Sequence, residues 1–359
     1  MRIGISAQLM GDRPSGTEQY IYNLIVHLLA IDKSNTYFIY CYDNALARSL
    51  PHNENVVIRT ISLPRNKISR VFFEQAMLPR LLKKDRISIY HSPAYILPIH
   101  YPDIPTVVTI FDVFALTERR FCKVHNAIYF GLMLPHALRR ADAIVTLSNV
   151  AKSDIVKVCD VSESKIRVIY PGVVPKDGTV TSSKNNYILY VGNYDPKKNL
   201  TFLIKAFETL KQKTGLPHKL ILAGAKEWEF QKTYKVAQMT AVAKEIEFIG
   251  YVSEEKKWEL YRNAAICILP SLFEGFGFPP IEAASVGTNI LVPDIPIFKE
   301  TVPGARFFSP NDIDDCVAQM SRLLTTNCRQ HIDLSRFSYI KHAQECLDIY
   351  KNLTRSETK

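Results

Sequence analysis

Two carboxylates frame a glycine loop in the stretch PSLFEGFGFPPIEAA, residues 270–284. Glu274 stands before Gly275, Phe276, Gly277 and Phe278, and Glu282 follows Pro279 and Pro280. Glycines let backbone N–H groups approach a ligand closely, and the two prolines pre-set the dihedrals of a first helical turn. A helix N-terminus favours negative charge such as a diphosphate, so the stretch makes an anion cradle with sugar-binding acids at both ends. On this reading Glu282 falls in the first turn of the helix and Glu274 on the strand-side lip, where the two acids face opposite parts of one nucleotide-linked ligand. The same residues also fit an ordinary strand-turn-helix corner with a capping glutamate, so the loop has to be weighed with the rest of the chain.

Holding such a loop takes a scaffold of strands and helices. Short apolar strands alternate with helical patterns: MRIGISA, the helix-period run EQYIYNLIVHLLA, YFIYCYD, a helical segment ending before ISIYHSP, TVVTIFD, a helix around ALRRA, and AIVTLS. Such alternation predicts a parallel sheet covered on both faces. Pro, Gly, Ser and Asn then crowd together in RVIYPGVVPKDGTVTSSKNN, residues 167–186, which reads as a linker. The pattern restarts with YILYVGN, NLTFLIKAFETLKQ, KLILAGA, IEFIGYV, EKKWELYRNA, AICILP, the acidic loop and NILVP. The expected fold class is α/β, with two doubly wound Rossmann-like domains over 1–172 and 173–337. The helical segment FSYIKHAQECLDIYKNL, within about 338–359, crosses back onto the first domain, because an apolar helix needs a partner. Open parallel sheets bind ligands at the C-terminal ends of their strands, so two of them facing each other are expected to enclose a cleft walled by those loops.

Composition is globular: of 359 residues, 47% are hydrophobic and 22% charged. Seven cysteines at 41, 122, 159, 267, 316, 328 and 346 form no C-x-x-C pair, which supports neither a disulfide framework nor a zinc site. No apolar leader and no apolar run of bilayer length is present, so a cytoplasmic protein is expected, with disorder confined to the tail TRSETK. The formal charge of +10 is uneven, with 21 Lys and Arg against 14 Asp and Glu in residues 1–172. Residues 59–86 carry eight basic and two acidic side chains among apolar ones. That segment reads either as a solvated helix face or as a contact for a membrane surface or an anionic acceptor. Nucleic acid is disfavoured, since no helix-turn-helix, RNA-binding aromatic signature or zinc finger accompanies the charge.

Five segments taken in order, ADAIVTLSNVAKSDI, YVGNYDPKKNLTFLIKAF, FIGYVSEEKKWELY, CILPSLFEGFGFPPIEAASVGT with its E-x7-E element, and ARFFSPND, resemble the retaining glycosyltransferases of the GT-B fold. The family is the large family four, which includes sucrose synthases and many bacterial mannosyl- and glucosyltransferases, and the resemblance covers nearly the whole chain. It implies that Glu274 contacts the donor sugar, that Glu282 contacts the ribose, and that Gly275–Phe278 supply backbone donors to sugar and diphosphate. Lys198 matches the lysine that clamps the departing diphosphate, and a point charge there offsets the negative charge that grows as the glycosyl bond breaks. Lys197 stands where many relatives carry Arg, and it lacks the bidentate grip of a guanidinium. Asn193 lies in the same loop, and the segment around Gly250 and Tyr251 resembles the one lying against the nucleotide base.

In the first domain, Gly16 and Thr17 let a loop approach donor phosphate or acceptor, or form a plain turn. Relatives read His-Asp near the donor sugar where this chain reads Phe111-Asp112, which leaves Asp112 as the polar group. His91, Phe111 and Ser148 are the acceptor-side candidates. Asp312-Ile313-Asp314 has the look of a metal-binding D-x-D, but behind Ser309-Pro310-Asn311 it reads as a helix start, and no metal or other cofactor is expected.

The implied reaction is front-face displacement on a nucleotide-sugar donor, most like the bacterial mannosyltransferases that use GDP-mannose in cell-surface polysaccharide assembly. The expected acceptor is a glycan or a lipid-linked molecule, and the basic first domain suggests a lipid-linked or phosphorylated one at the inner face of the membrane. UDP-sugar donors, a nucleotide-sugar epimerase of the same architecture and a non-catalytic donor-binding subunit remain as alternatives.

Overall fold

A computed structural model of the protein describes residues 1–176, 186–227, 230–326 and 329–356. Residues 177–185 of the expected linker, Cys328 and the last three residues of the expected disordered tail lie outside the described residues. The chain divides into two compact units, Met1–Gly172 with Phe337–Lys359, and Val173–Arg336.

In the first unit, β1 (Arg2–Ser6), β2 (Thr36–Cys41), β3 (Val56–Thr60), β4 (Ile89–Ser92), β5 (Thr106–Ile110), β6 (Ala143–Thr146) and β7 (Ile166–Val168) form a parallel sheet in the order β3-β2-β1-β4-β5-β6-β7. The central β4, β5 and β6 are buried along their whole length, as strands covered on both faces must be. Strand order reverses between β1 and β4, so the loops after these strands part and leave a crevice at their C-terminal ends. The helices are α1 (Gly16–Ile31), α2 (Ala45–Arg48), α3 (Lys67–Phe72), α4 (Leu78–Lys84), α5 (Phe114–Thr117), α6 (Val124–Arg140) and α7 (Asn149–Cys159). A π-helical turn, Phe73–Met77, joins α3 to α4.

The C-terminal helix, Tyr339–Ser356, packs along α1 in this unit. A buried polar chain fixes it there. The Tyr350 hydroxyl lies 2.6 Å from His91 Nδ1, His91 Nε2 lies 2.9 Å from Thr109 Oγ1, and the Tyr20 hydroxyl lies 3.3 Å from that Oγ1 and 3.0 Å from His342 Nε2. Every one of these side chains is fully buried, so each polar group has its partner inside the fold.

In the second unit, β8 (Tyr187–Val191), β9 (Lys219–Ala223), β10 (Ile246–Gly250), β11 (Ile266–Ile268), β12 (Asn289–Pro293) and β13 (Arg306–Phe308) form a parallel sheet in the order β10-β9-β8-β11-β12-β13. Its helices are α8 (Leu200–Thr214), α9 (Phe230–Met239), α10 (Glu254–Asn263), α11 (Phe278–Ser285), α12 (Pro296–Thr301) and α13 (Ile313–Thr325). Here the order reverses between β8 and β11, which sets the loop 192–199 against the loop 269–277.

Three strands escape the sequence pattern. β3 is a half-exposed edge strand, β7 has three residues and occupies the start of the expected linker, and β13 is equally short. None of the three has the buried apolar run that marked the central strands.

Candidate active site

The loops after β8 and β11 are joined at two levels. The Leu272 N–H donates to the Lys197 carbonyl at 3.0 Å, and the Lys198 ammonium forms an ion pair with Glu274. Lys198 sits at the end of a 3-10 turn, Pro196–Lys198, whose first amide is captured by Asp195, and Asn199 then takes a left-handed conformation at φ 55° to start α8. The two side chains are only 15% and 10% exposed. Burial pushes the Glu274 carboxyl up, but the charges of Lys198 and Lys197 and the Lys198 hydrogen bond outweigh it and hold the group below its usual range. A positive charge and an ionised carboxylate therefore sit side by side at the switch point, where a phosphate and a hydroxyl of one ligand can each find a partner.

The glycine loop follows. Gly277 caps α11 at φ 81°, and a Cβ built there would lie 2.8 Å from the buried Phe298 ring, so only glycine fits. Phe276 is buried and its ring packs against Phe278 with centroids 4.9 Å apart, which anchors the loop from beneath. Pro279 and Pro280 occupy the second and third helical positions and carry no N–H. An anion at this corner would therefore meet the amides of Gly275–Phe278, the residues that the family resemblance implies as donors, the last of which opens α11. Glu282 is displaced from the first turn expected of it: the helix starts at Phe278, which puts this acid in the second turn. There it accepts from Lys257 Nζ at 3.0 Å and from the Tyr261 hydroxyl at 2.9 Å. Burial pulls the Lys257 ammonium down, but Glu282 and Glu254, the latter also at 3.0 Å, hold it above its usual value.

Around this centre, Asn193 follows Gly192, whose carbonyl leaves no room for a Cβ at Gly224, and the Asn193 carbonyl accepts from the Tyr190 hydroxyl at 2.9 Å. Gly250 ends β10 at φ 72°, and its N–H donates to the Tyr194 hydroxyl at 3.2 Å, with Tyr251 next in the chain. Lys198, Glu274 and the glycine loop thus lie on neighbouring loops of one unit, with Glu282 on α11 paired to Lys257 on α10. Lys257 escaped the sequence reading because the run SEEKKWELY presents it as one charge among five. Asp312 is the N-cap of α13, accepting from the Asp315 amide at 2.9 Å.

In the first unit the structure corrects the acceptor-side candidates. His91 belongs to β4 rather than to a loop, is fully buried and is engaged on both ring nitrogens by Tyr350 and Thr109. Burial first, and then the neighbouring His342, press its pKa down to about 3, so it is a neutral packing group. Phe111 is buried against Tyr20 and Tyr95, and Ser148 is buried as the N-cap of α7, accepting from the Ala151 amide at 3.0 Å. Asp112 shapes the turn after β5, accepting from the Phe114 amide at 3.0 Å and from the Tyr95 hydroxyl at 3.3 Å. Gly16 and Thr17 open α1 in a capping box between Ser15 and Glu18 instead of extending a loop.

The crevice beside β1 and β4 holds a cavity of about 280 Å³ lined by Ser6, Gln8, Thr17, Arg70, Glu74 and Tyr129 among others. Glu74 sits on the π-helical turn, buried, with the Tyr129 hydroxyl 3.4 Å from its carboxylate, and burial lifts its pKa to about 7. Tyr95 in the same wall takes a left-handed φ of 65°, a strained conformation for an aromatic residue. Glu74 was invisible in ISRVFFEQAML because a helix-period apolar run with one acid reads as a helix face. The basic residues of 59–86 do not form a single face, since Arg59 is spent on buried Asp85, which it grips through two nitrogens. None of the described helices is long and apolar enough to cross a membrane.

Two family models match in tandem: Glycosyltransferase Family 4 over residues 14–177, and Glycosyl transferases group 1 over residues 176–341. O-antigen chain mannosyltransferase B of Escherichia coli is 26% identical over 285 residues, 74% of each chain. O-antigen chain mannosyltransferase RfbU of Salmonella typhimurium is 33% identical over 186 residues, a match that spans about half of each chain, 52%. Among solved structures, a glycosyltransferase from Rickettsia africae superposes with a TM-score of 0.70 at 17% identity over 98% of both chains, a likeness of fold. With two parallel-sheet units and both family models matched end to end, the chain belongs to glycosyltransferase family four and has the GT-B fold.

Proposed function

We propose that this glycosyltransferase moves mannose from GDP-mannose to a glycan or lipid-linked acceptor in cell-surface polysaccharide assembly, with retention of anomeric configuration. The observation that carries the donor site is the Lys198–Glu274 pair at the switch point between β8 and β11. Lys198 neutralises the departing diphosphate, Glu274 orients the sugar, Glu282 receives the ribose and the loop amides of Gly275–Phe278 receive phosphate oxygens. The acceptor hydroxyl attacks on the face from which the diphosphate leaves, and its proton passes to the departing phosphate oxygen. The enzyme then contributes position and charge rather than a nucleophile. Leaving-group neutralisation by Lys198 assigns no step to a metal ion. The choice of mannose rests on the names of the two O-antigen relatives.

The test is donor hydrolysis and transfer by the purified protein across GDP- and UDP-sugars, with Glu274→Ala and Lys198→Ala as controls and a chelator in a parallel series. Consumption of GDP-mannose alone, unchanged by chelator and lost in both controls, is the expected result. Preference for a UDP-sugar overturns the donor assignment, and release of an epimerised nucleotide sugar overturns the transferase chemistry.

A further inference from the structure

We infer that the crevice beside β1 and β4 binds one uncharged sugar ring, with the Glu74 carboxylate accepting from its hydroxyls, and that this ring is the end of the acceptor held by the enzyme. Only the word acceptor rests on the glycosyltransferase reading; the binding of the ring does not. The cavity of about 280 Å³ is near the lower bound of about 300 Å³ for small-molecule sites, which is room for a single ring. Glu74 is 7% exposed, and among the described residues its carboxylate accepts one hydrogen bond, the long one from the Tyr129 hydroxyl at 3.4 Å. A carboxylate has about four lone-pair sites, so most of its accepting capacity is unmet. Gln8, in the same lining, donates from its amide to Ser6 Oγ at 3.1 Å, while its side-chain carbonyl oxygen is buried without a hydrogen-bond partner among the described residues. Leftover buried acceptors are uncommon in a fold and call for donors. Tyr95 and Phe130 add two aromatic rings to the wall, 5.7 Å apart between centroids. A sugar answers both kinds of surface, donating hydroxyls to the oxygens and laying its C–H face on the apolar wall. Two costly backbone features meet here as well: the π-helical turn that carries Glu74 and the left-handed Tyr95.

Charge separates a sugar from a phosphate. The charged residues of the lining are Glu18, Glu74 and Arg70. Glu18 is engaged in the capping box of α1, which leaves Glu74 as the acid facing an occupant. A phosphate in this space would meet that carboxylate at close range with Arg70 as its one cation, whereas a neutral ring meets no like charge. The basic residues from which a phosphorylated acceptor is expected therefore lie, apart from Arg70, outside the crevice. Burial lifts the Glu74 carboxyl to about 7, the behaviour of an acid short of hydrogen-bond donors, and hydroxyls of a ligand supply what Tyr129 alone does not. Glu74 and Gln8 are on this reading the residues that make the site choose a neutral sugar.

The experiment titrates the full chain, with no donor present, with the methyl glycosides of mannose, galactose and N-acetylglucosamine and with the corresponding 6-phosphates, following binding by ligand-observed NMR. Wild type is compared with Glu74→Gln and Gln8→Met, and urea midpoints establish that each variant is folded. Expected are binding of at least one neutral glycoside, binding of its phosphate weaker by at least about tenfold, and a loss of about tenfold for the neutral ring in Glu74→Gln together with a narrower gap between ring and phosphate. A carboxyl that served packing alone would leave that gap unchanged. Binding of no neutral glycoside, tighter binding of the phosphates, or neutral binding unchanged in folded Glu74→Gln overturns the inference; if Glu74→Gln does not fold, Gln8→Met decides in its place. Loss of glycoside binding in Glu274→Ala in place of Glu74→Gln moves the ring to the donor loops and overturns it too. Donor hydrolysis by wild type, run alongside, tests the transferase reading by itself: glycoside binding without donor consumption upholds the sugar site and removes its role as acceptor.

Discussion

Replacing Lys198 by Met separates two roles that one ion pair could play. The Lys198 and Glu274 side chains are 15% and 10% exposed, so the substitution leaves a carboxylate almost without water, with Lys197 as its remaining cation. Removing one partner of a buried pair costs about 3–5 kcal/mol. Removing a charge that faces the leaving group costs about 10²–10³-fold in kcat. The assay measures sugar transfer and urea unfolding for wild type, Lys198→Met, Glu274→Gln and the double variant. If Lys198 acts on the diphosphate, the double variant regains stability but not turnover. Turnover within tenfold of wild type in Lys198→Met, or turnover recovered in the double variant, refutes the reasoning. Acidity gives an independent check. The Glu274 pKa is lowered from its ordinary 4.5, so the stability it contributes is present above that value and is lost as pH falls through the lowered one. Lys198→Met abolishes this acid loss, because its carboxyl is already protonated there.

Lys257→Met removes the buried cation shared by Glu282 and Glu254 and is expected to lower unfolding stability by about 3 kcal/mol and to raise the donor KM more than it lowers kcat; an unchanged KM would detach Glu282 from the ligand. Gly277→Ala forces a side chain into a left-handed φ against Phe298 and is expected to cost about 1–3 kcal/mol in urea unfolding along with weaker donor binding, whereas a neutral result would show that the loop can relax. His91 and His342 have pKa values pressed to about 3 and about 4 by burial, so stability is full above the ordinary 6.5 and falls as pH drops below it, by about 2 kcal/mol for each at about pH 5. Glu74, raised to about 7, works in the opposite direction, because its penalty is lifted as it protonates between about pH 8 and 5, which offsets about 2 kcal/mol. Glu74→Gln should therefore steepen the acid loss seen in urea midpoints, and an unchanged slope contradicts the assignment.

The architecture was legible because the central strands β5 and β6 are short buried runs dominated by Val and Ile, and α1 repeats its apolar positions at helical spacing. The edge strands β3 and β7 lacked that signature since a half-exposed strand needs no continuous apolar run. In the second unit Lys198 and Glu274 stand in the loops after β8 and β11, and the family resemblance of the segments around them, rather than any local pattern, is what implied a shared donor site. In the first unit the groups that meet come from distant segments. His91 is held by Tyr350, 259 residues away, and Glu74 meets Tyr129, 55 residues away. No local pattern announces such pairs. A histidine after a strand therefore looked like a ligand until the C-terminal helix was seen to cover it, and a carboxyl in an apolar run looked solvated until α6 was seen to bury it.

One consequence of the pairing concerns how a donor would enter. Both acids of the E-x7-E element already hold a lysine: Glu274 holds Lys198, and Glu282 holds Lys257. A nearly buried ammonium without a partner is costly, so the carboxylates hold each cation in place. A diphosphate arriving at the glycine loop offers Lys198 more negative charge than Glu274 does, and hydroxyl groups of the sugar offer Glu274 donors in return. The exchange trades one ion pair for a charge-assisted contact on each side, and its cost is small only if both halves of the ligand arrive together. Inorganic diphosphate or a free nucleoside diphosphate, with no sugar to satisfy Glu274, should then bind more weakly to wild type than to Glu274→Gln, where Lys198 is already released. An intact nucleotide sugar should show the reverse order in a calorimetric titration of the two proteins. The same order for both ligands would mean that Glu274 only holds the lysine and makes no contact with sugar.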